Sequence, residues 1–298
     1  MKIGAIGIDS SHLPVFSERI KQLADAGETP CRVTHFWTDG KHDWPNQSDI
    51  DNWKQQTLAL GVQEAASLDE LLDAVDGVMV LAVSGDRHLD LGRPSLERGV
   101  PTYIDKPLAC TLDDAKAIQR LAETHGARCY SASSLRFAGE VHAARALAGD
   151  DGIGDLVAID AFGPGELNDG APGLLHYGVH TIEMVDAIWG GGVQRVSAIA
   201  TDDRHLLDMQ YTDGRYARLR LDRKAAYEFG ATVHGTKGVH QFRVDFGPVY
   251  GNLVRGMARF FEGGEPPASL GAIVENVAVM VAGNRSIEQD GAWQEIAV

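Results

Sequence analysis

Basic residues are in short supply: 27 lysines and arginines stand against 42 aspartates and glutamates, giving a formal net charge of −15. Such a deficit disfavours phosphate backbones and anionic lipid surfaces, so nucleic acid and membrane are excluded as expected partners. Also missing is any run of about eighteen apolar residues, the length a membrane-spanning helix needs. Cysteine is scarce and odd in number. Cys31, Cys110 and Cys129 are scattered without metal-ligand spacing and read as reduced thiols of a cytoplasmic protein. No internal repeat and no low-complexity tail is present. Met1-Lys2 runs directly into Ile3-Gly4-Ala5-Ile6, which reads as a core strand rather than a signal peptide. What the chain does have is 298 residues at 44% hydrophobic, enough core for two domains.

The first part alternates strand and helix patterns. Strands are expected at Ile3–Ile8, Arg32–Trp37, Gly77–Val83, Pro101–Ile104 and Ala127–Ser131. Helices are expected near 14–26, 53–60, 89–98 and 112–125, with Ser67-Leu68-Asp69-Glu70 opening another as a capping box. The apolar run Gly77–Val83 has the character of a central parallel strand. Repeated βα units of this length imply a doubly wound parallel sheet. After Ser133 the pattern becomes mostly β, with strands expected at 156–162, 193–200, 206–211, 216–221, 225–234 and 238–246 and a hairpin turn at Asp213-Gly214. Helices are expected at 139–148, 176–188, 250–262 and 270–289. The resulting fold class is α/β: residues 1–132 as a doubly wound parallel domain, and residues 133–298 as an α+β domain with an open, mostly antiparallel sheet. An open apolar sheet face would need covering by a second copy, so a homodimer or homotetramer through the C-terminal sheet is expected.

Three places carry candidate chemistry. The first is the turn after the opening strand, where a dinucleotide-binding fold places G-x-G-x-x-G. Gly7, Asp9 and His12 occupy the three glycine positions. Asp9 puts a Cβ and a negative charge where a diphosphate should approach. Ser10, Ser11 and His12 are able to hold an anion at the helix start; alternatively, Asp9 or Ser10 simply caps that helix. The second place is Asp105-Lys106-Pro107, directly after a strand, at the sheet edge where such folds bind ligands. A lysine there is either a solvated charge or a working group that hydrogen-bonds a hydroxyl or moves a proton.

The third is His176-Tyr177-Gly178-Val179-His180-Thr181-Ile182-Glu183. On a helix, His176, His180 and Glu183 share one face at i, i+4 and i+7. Acid/base chemistry by an imidazole, a metal site of two histidines and a carboxylate, and plain capping or core hydrogen bonding are all compatible with that spacing. Arg136, just past the last strand of the first domain, is a candidate substrate contact or a salt-bridge residue. Trp37, Trp44 and Trp53 flank the polar loop after the second strand, as stacking platforms or as buried anchors.

Together these residues resemble the Gfo/Idh/MocA family of nicotinamide-dependent oxidoreductases over essentially the whole chain. The matching segments are Ile3–His12, Leu81-Ala82-Val83-Ser84-Gly85-Asp86-Arg87-His88, Asp105-Lys106-Pro107, Ser134-Leu135-Arg136-Phe137, Gly178-Val179-His180 and Pro266-Pro267-Ala268-Ser269. The resemblance implies an N-terminal Rossmann-type domain and a lysine beside nicotinamide and substrate, here Lys106, with Asp105 in place of the usual Glu. It implies a catalytic His at His180, with His176 where the family has Asp. Ser84 stands where Pro is usual, and His88 remains where the family often has a His.

The expected cofactor set is therefore Gly7, Asp9, Ser10, Ser11, His12, Asp39, Ser84, His88, Asp105 and Lys106. Asp39, ending the second strand, would favour NAD over NADP. Lys106, His180 and His176 are the expected catalytic residues, and Arg136 and Tyr177 the expected substrate contacts. The implied activity is NAD-dependent oxidation or reduction of a sugar, cyclitol or other polyol. The alternatives are a non-redox lyase, hydratase or epimerase using Lys106 and His176/His180, with or without a metal on His176, His180 and Glu183, and a non-catalytic carbohydrate-binding module.

Overall fold

The computed structural model describes residues 1–42, 46–168 and 171–297. Trp44 and Pro45, and Asp169 and Gly170 of the Gly-rich stretch, lie outside the described residues. The chain divides into two compact units. The first is Met1–Ala109, Asp113–Ala132 and Gly251–Leu270; the second is Cys110–Leu112, Ser133–Tyr250 and Gly271–Val298.

In the first unit, β1 (Lys2–Ile6), β2 (Arg32–Trp37), β3 (Gln63–Glu64), β4 (Gly77–Val80), β5 (Thr102–Ile104) and β6 (Cys129–Tyr130) form one sheet in the order β3-β2-β1-β4-β5-β6. Every pairing is parallel. The intervening helices are α1 (His12–Asp25), α2 (Gln47–Ala59), α3 (Leu68–Ala74), α4 (His88–Glu97) and α5 (Leu112–His125). Ile3, Ala5, Ile6, Val78, Met79, Val80, Tyr103 and Ile104 are fully buried, as strands covered on both faces require. The strand order reverses between β1 and β4, and ligands of such sheets bind there, beyond the carboxyl ends.

α2 begins six residues earlier than its apolar pattern suggests. Asn46 caps it by accepting the Asp49 N–H, and Asp49 in the first turn favours the helix dipole. A larger departure is the return of Gly251–Leu270 to the first unit. Phe260 packs edge-on against Tyr130 at 4.6 Å, and the Arg128 guanidinium lies 4.6 Å over the same ring. Phe261 fills the space that a side chain at Gly77 would occupy, with ring carbon Cδ1 2.6 Å from an ideal Cβ there. Burying two adjacent aromatic side chains outweighs the chain order that would keep this segment with its sequence neighbours.

The second unit contains α6 (Gly139–Ala146), β7 (Leu156–Pro164), α7 (Gly178–Trp189), β8 (Val193–Thr201), β9 (Arg204–Tyr211), β10 (Tyr216–Asp222), β11 (Gly230–Gly235) and β12 (Val239–Arg243). It is completed by the start of α8 (Phe246–Phe261), by α9 (Leu270–Glu288) and by β13 (Gln294–Glu295). The sheet order is β12-β11-β7-β10-β9-β8-β13, antiparallel except where β10 runs parallel to β7. Inward positions such as Ala217, Leu219, Leu221, Leu207 and Met209 are buried. The other face is mixed, exposing Ile199 (46%) and Val239 (60%) beside polar pairs. It carries the Arg218–Asp208 ion pair (2.7 Å), Arg195 on Gln210 (2.6 Å) and His234 on Asp160 (3.1 Å). Cross-strand polar pairs satisfy part of this face in water.

His205, inward on β9 and 5% exposed, has its imidazole pushed down to about 4 by burial and by Arg223, whose Nη1 lies 3.4 Å from its Nδ1. An unfolded histidine takes its proton near pH 6.5, so between that value and about 4 the unfolded chain binds the extra proton. Stability is therefore lost as pH falls through this window, by at most about 3 kcal/mol from this group. His205→Leu should flatten the stability profile between those two pH values in urea titrations; an unchanged slope would remove His205 from the acid response.

Candidate functional site

In the first unit, the candidate residues sit on the loops leaving the carboxyl ends of β1, β2, β4 and β5. Gly7 is required where it stands: its φ is +98°, and a Cβ would lie 2.8 Å from the Ala82 backbone nitrogen. Its N–H donates to the Trp37 carbonyl at 3.0 Å, closing β1 against β2. Ser11 is the N-cap residue of α1 and makes no side-chain cap bond, while Ser10 Oγ accepts the His12 N–H at 3.2 Å.

Asp9 does not cap α1. Its side chain is buried and accepts the Val83 N–H at 3.2 Å, and its other oxygen lies 3.4 Å from Arg87 Nη1. Burial pushes the Asp9 carboxyl above its usual range, opposed by Arg87 and by backbone N–H donors. The same guanidinium donates to Asp39 Oδ1 at 2.7 Å and to the Lys41 carbonyl at 2.8 Å. Asp39 pays some desolvation, but Arg87 and the Lys41 N–H hold its carboxyl below the usual range. Asp9 and Asp39 thus share one arginine. The charge that Asp9 brings to the phosphate loop is met locally rather than presented at the start of α1.

A second knot forms around Asp105. Its carboxylate pairs with His12 Nδ1, accepts the Lys106 N–H at 2.8 Å, and accepts the Tyr103 hydroxyl at 3.2 Å. Burial works against the charged form, yet His12 and Lys106 outweigh it and hold this carboxyl well below the carboxylate range. His12, the residue at the third fingerprint position, therefore braces the Asp105-Lys106-Pro107 turn. Its ring also stacks on Phe16 at 4.8 Å. His88 is fully buried, with Nε2 2.8 Å from the Ala82 carbonyl and Nδ1 2.8 Å from the Pro107 carbonyl. Expected at the cofactor, it instead ties the loop after β4 to the Lys106 turn. Ser84 is buried at the head of the short turn Gly85–Arg87 and accepts the Arg87 N–H through its carbonyl.

In the second unit, α7 starts at Gly178, so His176 stands before the helix, after the single turn Gly173–Leu175. His180 Nδ1 lies 2.7 Å from Ser133 Oγ. Glu183 Oε2 accepts the Ser133 N–H at 2.9 Å and the Arg136 Nε–H at 2.8 Å. Arg136 Nη2 also pairs with Asp186. Arg136, Glu183 and Asp186 are all buried, so Arg136 belongs to an internal ion network rather than to a substrate surface, a correction to the expected contact. Burial pushes the Glu183 carboxyl up, with Arg136 opposing. Glu183 is committed to that network, and among the described residues no group of three His, Cys, Asp or Glu side chains is placed to hold a metal ion.

Tyr177 meets His176 and His180 edge-on at 5.0 and 5.3 Å, and its hydroxyl lies 3.3 Å from that of Tyr227. Burial and the Tyr227 bond push the Tyr177 phenol up. Tyr227 is 54% exposed and stands 5.9 Å from both Phe229 and Phe246. An aromatic wall therefore stands beside His180.

Arg87, Ser133 and Tyr227 were not singled out by the sequence. For Arg87 a signal existed: two carboxylates at neighbouring strand ends, Asp9 and Asp39, require a cation. Ser133 and Tyr227 carried none, because nothing local distinguishes an orienting serine or a wall-forming tyrosine from any other.

Residues 3–133 match the oxidoreductase family GFO_IDH_MocA, described as an NAD-binding Rossmann fold. An uncharacterized oxidoreductase of Streptococcus pneumoniae serotype 4 is 24% identical over 218 residues, covering 64% of this chain and 59% of that protein. A 2,7-anhydro-N-acetylneuraminate hydratase of Mediterraneibacter gnavus is 23% identical over 216 residues, covering 63% of this chain and 58% of that protein. The matches thus span less than two thirds of these relatives. A scyllo-inositol dehydrogenase structure from Lactobacillus casei, with NAD(H) and scyllo-inositol bound, superposes with a TM-score of 0.80 at 17% identity, over 100% of this chain and 99% of that one. The strand order β3-β2-β1-β4-β5-β6 of the first unit is that of a Rossmann-type sheet. Residues 3–133 thus match the NAD-binding Rossmann domain of the Gfo/Idh/MocA oxidoreductases.

Proposed function

We propose that the chain is an NAD(H)-dependent oxidoreductase that acts on a carbinol carbon of a sugar, cyclitol or related polyol. The observation that carries this reading is the neutralised phosphate loop: Asp9 is bound to Val83 N–H and Arg87, leaving the Gly7 turn and the start of α1 compatible with a diphosphate. Beside the Gly7 turn, Ser10 and Ser11 would hold the pyrophosphate through backbone N–H groups, and Asp39 would receive the adenosine ribose. When bound, the nicotinamide supplies the hydride acceptor or donor.

The chain's own residues handle the proton. His180, whose Nδ1 lies 2.7 Å from Ser133 Oγ, removes the proton of the substrate hydroxyl; in the reverse direction it returns that proton. On the first unit, Lys106 is the group able to donate a hydrogen bond to a hydroxyl oxygen as negative charge grows on it. His176 orients the substrate, and Tyr177 with Tyr227 offers ring faces to the C–H face of a sugar ring. Two buried thiols, one of them (Cys129) pushed up to about 12 by burial, fit a reducing cytoplasm. Among the described residues no helix is long and apolar enough to cross a membrane. A dimer or tetramer through the second sheet would cover the exposed Ile199 and Val239 of its outer face.

The test is calorimetric titration of the dialysed protein with NAD and NADH, followed by assay of NADH formation with scyllo-inositol, myo-inositol and a panel of aldoses. Saturation to about 100 times the dissociation constant should stabilise the fold by roughly 2.7 kcal/mol. Protein that binds neither form of the cofactor sinks the proposal. A second reading is supported by the hydratase among the relatives: water addition or elimination on a sugar, with Lys106 and His180 moving the protons. Substrate turnover that changes water content with no net NADH would select it. Turnover of nothing, with sugar binding retained in His180→Ala, would select a binding module.

A further inference from the structure

We infer that Arg87 is a cofactor-binding residue, and that its tether to Asp39 sets which dinucleotide the first unit prefers. The inference rests on the dinucleotide reading above. Arg87 closes the short turn Gly85–Arg87 after β4, beside the point where the strand order reverses. Its guanidinium joins three loops: Asp9 after β1 at 3.4 Å, Asp39 and the Lys41 carbonyl after β2 at 2.7 and 2.8 Å, and its own loop after β4. Side-chain exposure is 15% for Arg87, 4% for Asp9 and 23% for Asp39, so Asp39 is the outermost member and Asp9 the anchor.

The two outer groups make opposite demands on an adenosine ribose. A carboxylate at the end of the second strand accepts a 2′-hydroxyl and repels a 2′-phosphate; a guanidinium there attracts the phosphate. Here they are bonded to each other, so Asp39 masks Arg87 and the cluster of two carboxylates and one guanidinium carries one net negative charge. NAD is the favoured partner in that state. Removing the Asp39 charge unmasks Arg87 without releasing it, because Asp9 and the Lys41 carbonyl still hold it. The cluster then becomes neutral overall, with a positioned fork of N–H donors at its outer edge.

The experiment is isothermal titration of NAD and NADP into the wild-type protein, Asp39→Asn and the double variant Asp39→Asn/Arg87→Gln. Wild type should bind NAD more tightly than NADP. Asp39→Asn should shift the NADP-to-NAD affinity ratio towards NADP by at least tenfold, about 1.4 kcal/mol, and the double variant should lose that gain. Asp39→Ser provides a second route if the asparagine retains the ribose bond. A ratio unmoved in both single variants, or a gain that survives loss of Arg87, overturns the role of Arg87 while leaving the dinucleotide reading intact. Wild type that binds neither nucleotide overturns both.

Discussion

Lys106→Met should lower kcat by about 10²–10⁴-fold, the usual contribution of a positioned proton-transfer group. The dissociation constant of NAD should stay within about threefold of wild type, since an interaction made only in the transition state leaves ground-state binding nearly unchanged. The reasoning starts from Asp105. Its carboxylate is already engaged by His12, the Tyr103 hydroxyl and the Lys106 N–H, and is held well below the usual carboxylate range. A carboxylate so stabilised is a poor proton acceptor at neutral pH, which leaves the lysine as the working group of this turn. Asp105→Asn should act through placement of the turn, and it should be milder than Lys106→Met. Stopped-flow single-turnover measurement with saturating NAD separates the chemical step from product release. A Lys106→Met enzyme with unchanged single-turnover rate would show that the lysine only packs or solvates the loop.

Much of this arrangement was legible from local pattern. Gly77–Val80 announced a buried central strand because every residue in it is apolar or glycine, and Lys106 and His180 were visible because each lies in a short segment with its own character. The pairings were not legible. Arg87 and Asp9 are 78 positions apart, His12 and Asp105 are 93 apart, and Arg136 and Glu183 are 47 apart. Which of these meet depends on the order of strands in a sheet, and a fingerprint read along the chain carries no such order. Hence His12 looked like an anion ligand and became a brace for Asp105; His88 looked like a cofactor contact and became a bridge between carbonyls.

Tertiary packing also moved element boundaries. The strand expected from residue 225 starts only at Gly230, because Tyr227 and Phe229 join Phe246 in an aromatic cluster instead of pairing along a neighbour. Alternation of apolar residues is the same in both arrangements, so periodicity alone could not separate them.

Arg136→Met should destabilise the protein by about 3–5 kcal/mol at neutral pH, the cost of breaking a buried ion pair from one side. Side-chain exposures of 4% for Arg136, 2% for Glu183 and 8% for Asp186 leave no water to take over from the lost guanidinium. Methionine replaces the volume, so the loss reports charge rather than a cavity. Burial already pushes the Glu183 carboxyl above its usual value of 4.5 with Arg136 present. Without the arginine that carboxyl should rise further, so the folded variant should bind a proton that the unfolded chain releases. A group of this sign loses stability as pH rises above its unfolded value, and the deficit of Arg136→Met should therefore shrink as pH is lowered from neutral towards about 4.5. The damage should also reach His180. Glu183 holds the Ser133 N–H, and Ser133 Oγ orients the His180 ring, so the variant should lose kcat more than substrate affinity. Urea titrations at pH 7 and pH 5, with the wild type alongside, read the first effect. Equal deficits at the two pH values would mean that the loss comes from packing around residue 136 and not from the stranded carboxylates.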